Sequence, residues 1–171
     1  MQKIIVGVIL LLLGSGGLLA QNQTPRPVNG KKKVGWIRFD SKRDNQAFKC
    51  CDENNIQEYY QTGTHYEEGI KSIRRFFQQY PTDAFSKNLL DGYLTIRFVV
   101  NCKGETDRYR VWATDREFKP QQVQPENEQK LLEALRKMGN WQPGERDGKF
   151  YDAYAFLTFK ILNGKMTDIL P

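Results

Sequence analysis

The chain has little with which to do chemistry. It holds a single histidine, His65, and three cysteines, Cys50, Cys51 and Cys102, with no C-x-x-C pair. That set lacks the ligand spacing of a zinc site. No G-x-S-x-G serine, reactive-cysteine signature or phosphate-cradling loop is legible, so His65 has no nucleophile to serve and reads as a structural or surface residue. Glu145, Arg146 and Asp147 form a charged loop, and Asp147 with Asp152 is the one carboxylate pair that invites a sugar-hydrolysis reading. Both flank a glycine in a segment where solvation is the ordinary outcome. The expectation is a protein that is not an enzyme and uses no cofactor or metal, with an unknown reaction as the weakest of three functional readings.

Long apolar runs are equally scarce. Only MQKIIVGVILLLLGSGGLLA, residues 1–20, contains one, with a single lysine before it and the small Ala20 ahead of Gln21. That is the layout of an export signal. As a helix, residues 4–20 would rise about 25 Å, short of the ~30 Å hydrocarbon core. Leu18 is a less usual residue three before the cut, so a retained membrane anchor is the alternative. No cysteine follows Ala20, which excludes lipid attachment there.

The remaining roughly 150 residues suit one domain. A formal charge of +6 suggests nucleic acid in a cytosolic protein, and export argues against that partner. Arg74, Arg75, Arg108, Arg110 and Arg116 are scattered among acids and read as a solvated surface, with a weak pull toward acidic surfaces or anionic headgroups. An oxidising compartment permits a disulfide. The adjacent pair cannot both reach Cys102, so the expectation is one bridge from Cys50 or Cys51 to Cys102, against three free thiols.

Along the chain, residues 21–33 read as a flexible leader. VGWIRFD is β-prone, and residues 40–63 carry too little periodicity to assign. Thr64 and Glu67 have the spacing of a capping box ahead of a helix that places Ile70, Ile73, Phe76, Phe77 and Tyr80 on one face and stops at Pro81. Leu94, Ile96, Phe98 and Val100 then alternate with Tyr93, Thr95, Arg97 and Val99. After Asn101 and Gly104, Tyr109, Val111 and Ala113 resume the alternation, which predicts a β-hairpin. A second amphipathic helix is predicted over 126–138, with Leu131, Leu132, Leu135 and Met138 inward. Trp141 covers the end of the core, Pro143 and Gly144 forbid further helix, and residues 143–149 turn in water. A third strand over 151–161 carries Ala153, Ala155, Leu157, Phe159 and Ile161 on one face and Asp152, Tyr154, Phe156, Thr158 and Lys160 on the other. Asn163 and Gly164 turn the chain into a brief tail, residues 166–170.

The order helix, hairpin, helix, strand resembles the C-terminal domain of TonB, the periplasmic end of the energy transducer that serves outer-membrane transporters. Tyr80-Pro81 with Ala84 is similar to the family's Y-P-x-x-A pattern, and Gly92 stands where the family has a glycine before its first strand. IRFVVNCKG resembles its V-x-F-x-V-x-x-x-G hairpin, LLEALRKMGNWQPG its helix ending in W-x-P-G, and AFLTFKILNG its last strand. These four ordered blocks cover residues 69–164.

The resemblance implies an α+β fold, a small three-stranded antiparallel sheet with two helices packed on one face, preceded by a short N-terminal extension. The division expected is a signal peptide over 1–20, a leader over 21–33, an extension over 34–68 and a TonB C-terminal-like domain over 69–171. It also implies binding: an extended peptide of another envelope protein, an outer-membrane transporter among the candidates, pairs with the open edge of the last strand. Carried across, the partner-binding residues are Tyr154, Phe156, Thr158 and Lys160, with Tyr80 and Pro81 nearby. The expected location is the periplasm, membrane-anchored only if the leader is retained. The second reading is a structural protein that homodimerises through the same edge. Two departures weigh against energy transduction: a leader that looks cleavable, and only about a dozen flexible residues before Val34, which span at most about 40–45 Å.

Overall fold

The computed structural model describes residues 35–79 and 90–170. In chain order its elements are β1 (Gln57–Glu58), α1 (Tyr59–Thr62), β2 (His65–Tyr66), α2 (Gly69–Gln78), β3 (Gly92–Val100), β4 (Thr106–Thr114) and β5 (Pro120–Gln121). There follow α3 (Pro125–Lys137), β6 (Trp141–Gln142), β7 (Gly144–Arg146), β8 (Lys149–Tyr151), β9 (Ala153–Leu162) and β10 (Lys165–Leu170). All lie in the unit Lys33–Pro171; residues 1–20 and the sites Tyr80 and Pro81 fall outside the described residues.

Period-two alternation builds the centre. In β3, Leu94, Ile96, Phe98 and Val100 are buried while Tyr93, Thr95 and Arg97 are half-buried, and the strand pairs antiparallel with β4 on one side and β9 on the other. The β3–β9 register runs unbroken from Gly92 opposite Ile161 to Val100 opposite Ala153. Gly92 lies at φ 146°, and a Cβ there would run into the backbone of Thr114 and Asp115, so the position favours glycine on both counts. Asn163 and Gly164, both at positive φ, reverse the chain tightly into β10, which runs back along β9.

The sheet order is β5-β4-β3-β9, with β1 and β10 both on the outer edge of β9. The result is a six-stranded mixed sheet curled into a half-barrel, accompanied by the two-stranded pairs β2–β6 and β7–β8. This corrects the expected three-stranded antiparallel sheet with two helices on one face. The central trio and the α2 and α3 helices are present, but β1, β5 and β10 enlarge the sheet and β1 runs parallel to β9. Strands of two residues carry no readable period, and the six residues of β10 lack a clean alternation.

Both faces of the sheet are covered in part. On one, Ile73 and Phe77 of α2 and Leu131, Ala134 and Leu135 of α3 join the inward residues of β3, β4 and β9 in the main core. Helix α3 begins with Pro125, has Glu126 and Glu128 in its first turn and Arg136 and Lys137 in its last, the charge order its dipole favours. On the other face, Ile37, Phe48 and Ile56 close over Val99 and Tyr154 in a second cluster. Residues 35–58 thus pack as part of the fold. Of VGWIRFD, the described residues 35–40 form no strand; Ile37 is buried there as an irregular plug. Thr64 caps no helix, because it is buried beside Thr62 and the next two residues pair with β6; the residue at the N-cap of α2 is Glu68.

The disulfide joins Cys51 to Cys102, with Cα atoms 6.1 Å apart, and leaves Cys50 as a thiol. Cys50 packs against the second cluster, and burial pushes its thiol up to about 12. Beside the bridge, the buried carboxylate of Asp152 accepts the amides of Asp52 at 2.7 Å and Cys102 at 2.9 Å.

An interrupted sheet edge and the groove beside it

The outer edge of β9 is shared by two strands that do not meet. Strand β1 pairs with Ala153 and Tyr154, and β10 with residues 158–162. Between them, Ala155, Phe156 and Leu157 have no ladder partner on that side among the described residues. The Gln57 amide donates to the Asp152 carbonyl at 2.8 Å, and the Thr167 hydroxyl to the Lys160 carbonyl at 3.2 Å, so even-numbered residues of β9 turn their backbone groups outward. Because the β3–β9 register has no bulge, the alternation carries through to Phe156. Its N–H and C=O therefore face the gap, while those of Ala155 and Leu157 face β3.

The gap exists because of where the chain leaves the edge. After Glu58, residues 59–62 turn into the short helix α1, which ends at Gly63 in the left-handed region at φ 69°. From the other direction the described part of β10 runs to Leu170, opposite Thr158. The wall formed by α1 and β2 is held by close packing. Gly144 abuts Thr62 and Thr64, where an added Cβ would stand 2.6 Å from Thr62 Cβ and 2.9 Å from Thr64 Oγ1. The Glu67 amide donates to the Asn140 carbonyl at 3.0 Å, and Tyr66 meets the Trp141 ring edge-on at 5.5 Å.

Beneath this wall lies a groove of about 270 Å³. Ala155 and Leu157 form its floor, Ile70 and Ile73 of α2 one side, and Tyr66 and Trp141 the end. Ala155 leaves room by its size, where the later positions of the same face carry Leu157, Phe159 and Ile161. His65 and Glu67, with the phenols of Tyr59 and Tyr66, are the ionisable side chains of the lining. His65 Nδ1 lies 2.6 Å from the Gly63 carbonyl; a proton on Nδ1 would be donated there and leave Nε2 as the ring's acceptor. Burial first, then Glu68 and Glu67, raise the Tyr66 phenol above its ordinary value, so it remains protonated at neutral pH.

The structure separates the predicted edge residues. Tyr154 is buried under the second cluster, with the Arg97 guanidinium 4.5 Å from its ring centroid and Arg97 in turn paired with Glu58 at 2.7 Å. Thr158 lies opposite Leu170, and its hydroxyl is 3.0 Å from that of Thr95. Lys160 has an exposed side chain, but its backbone faces β10. Phe156 alone sits at the gap, its half-buried ring edge-on to Tyr59 at 5.3 Å. The same occupancy limits the edge open to a second copy to these three residues. Elsewhere, Glu145 and Arg146 are exposed in β7, Asp147 turns the β7–β8 hairpin at φ 54°, and Asp152 is buried on its two amides, so the carboxylates of the charged loop do not form a common site.

Tyr59, Tyr66 and Ile70 complete the site, and sequence reading assigned none of them to it. Ile70 was legible as apolar helix face, but nothing in a lone Tyr59-Tyr60 pair announces a departure from a sheet edge. Among the described residues no helix is long and apolar enough to cross a membrane. Compared with protein-family models, curated proteins and solved structures, the chain matches none.

Proposed function

We propose that this chain is an exported, non-catalytic protein-binding module of the bacterial cell envelope, which captures a short extended segment of a partner at the gap in the outer edge of β9. The observation that carries the reading is the outward-facing backbone of Phe156, left between β1 and β10 and opening into an apolar groove. A backbone amide and carbonyl at ladder spacing are best satisfied by another extended backbone, which is the chemistry of strand addition. The TonB-like order of elements supports the same reading and suggests a segment of an outer-membrane transporter as the partner. With three open residues, the contact is short, and affinity must come from side chains as well as from the backbone.

Two variants at one position test it. Phe156→Ala removes the ring and keeps the N–H; Phe156→Pro removes both, and spares the β3 ladder because that N–H points outward. Capture of a partner from envelope extracts should survive the alanine variant in part and be lost with the proline variant, while both retain native circular dichroism. Equal capture by wild type and a folded proline variant would show that the edge is not the contact.

A further inference from the structure

The larger apolar part of the groove, Ile70, Ile73, Tyr66 and Trp141 over Ala155 and Leu157, belongs to the main-core face of β9, and this gives the captured segment a sequence. Residues directly opposite one another on neighbouring strands project to the same face. A residue paired with Phe156 therefore projects toward Tyr59 and the Phe156 ring, and away from Ile70, Ile73 and Trp141. The residues before and after it stand opposite Ala155 and Leu157 and project to the face of Ile70, Ile73, Tyr66 and Trp141. The volume of about 270 Å³ is at the small end of the ~300–1,000 Å³ range of small-molecule pockets, and its lining is mostly apolar. With the open Phe156 backbone beside it, the groove suits two side chains of an extended segment. At its rim Glu67 is exposed, with Glu68 next to it, and the charged side chains of the lining include no lysine or arginine.

We infer that the groove reads an extended peptide with large apolar side chains at positions i and i+2 and a basic residue beside them. The two apolar side chains fill the space above Ala155 and Leu157 and the intervening residue pairs its backbone with Phe156; the basic residue after them lies past the three open positions, where β1 or β10 takes the edge, so the segment turns off the sheet there and its long side chain reaches back to exposed Glu67. This deepens the strand-capture reading and rests on it.

The probe is a blocked pentapeptide, threonine-phenylalanine-threonine-phenylalanine-lysine, titrated into the chain with its disulfide intact and followed by amide and methyl NMR. Binding should shift Ile70, Ile73, Leu157 and Trp141 and slow exchange of the Phe156 amide. Replacing either phenylalanine by alanine should weaken binding by about tenfold or more. Replacing lysine by glutamate, or the substitution Glu67→Gln in the protein, should weaken it by about threefold, an effect that fades with added salt. If the alanine and phenylalanine peptides protect Phe156 equally, the side-chain code is wrong and strand capture stands. If the phenylalanine peptide shifts the groove residues without protecting Phe156, strand capture fails instead. No perturbation of either by millimolar peptide overturns the inference, and the proline variant above then decides the fate of the broader reading separately.

Discussion

Removing the Cys51–Cys102 bridge, by Cys51→Ala with Cys102→Ala so that Cys50 gains no free partner, should lower stability by roughly 4 kcal/mol at 25 °C. The figure follows from the sequence separation of 51 residues, for which the lost restriction on the unfolded chain amounts to about that much. Against the ~5–15 kcal/mol of a typical domain this is a large share, and a midpoint fall on the order of 10–20 °C should accompany it. The native structure should survive at room temperature. Asp152 still ties the Asp52 and Cys102 amides together, and Ile56 still packs against Val99 and Tyr154. Paired urea titrations followed by tryptophan fluorescence are the assay, with the m-value expected to rise as the unfolded state expands. A loss below about 1 kcal/mol at an unchanged m-value would refute the reasoning, since it would mean that the bridge restricts an already restricted segment. The consequence for binding is specific: the bridge anchors the segment that continues into β1 and α1, so the doubly substituted protein should lose partner affinity at temperatures where the fold itself persists.

Gly144→Ala should destabilise by about 1–3 kcal/mol, because the new methyl drives into Thr62 and Thr64, and Thr62→Ala should recover part of the loss in the double variant; unchanged denaturation of the single variant would contradict the packing. Cys50, held up to about 12 by burial, should alkylate slowly at pH 8 in the native protein and rapidly in urea, and fast native labelling would show its environment to be open. Burial opposes ionisation of Asp44, but hydrogen bonds from Arg110 and the Asp40 amide outweigh it and hold its pKa below the ordinary value. Its contribution is thus fully present above the unfolded value, near pH 4, and is lost as pH falls through the lower folded value. Asp44→Asn should flatten that acid limb of the stability curve; an unaltered limb would place the titration elsewhere.

The centre of the molecule was legible because its signals are long. The alternation along β3, the shorter one from Arg108 to Ala113 in β4, and leucines at helical spacing in α3 each repeat their period often enough to be read. The final strand was found for the same reason. What surrounds it was not, because β1 is two residues long and its place on the sheet depends on Asp152, almost a hundred positions away, taking the amides of Asp52 and Gln57. Thr64 illustrates a local signal overridden by packing: its spacing to Glu67 fits a capping box, but Gly144 and Thr62 bury its side chain before a helix can begin. The choice between Cys50 and Cys51 could not be made from adjacency. It follows from which side chain faces the second cluster and which the β3–β4 turn. For the site, the sequence pointed to the correct strand and to too much of it. That edge, 154–161, is reduced to Phe156 and its neighbours by β1, which comes from far away in sequence, and by β10, which returns through the Asn163-Gly164 turn in a segment whose apolar residues have no clean period.

The most direct measurement is hydrogen exchange of single amides in β9, with and without a bound partner segment. In the free chain, the Phe156 amide should exchange faster than those of Ala155 and Leu157, which point to β3, by on the order of a hundredfold or more. Binding should slow Phe156 toward its neighbours. Protection of Phe156 equal to that of Ala155 and Leu157 in the free chain, or exchange unaltered by a bound partner, would contradict an open edge that captures a strand.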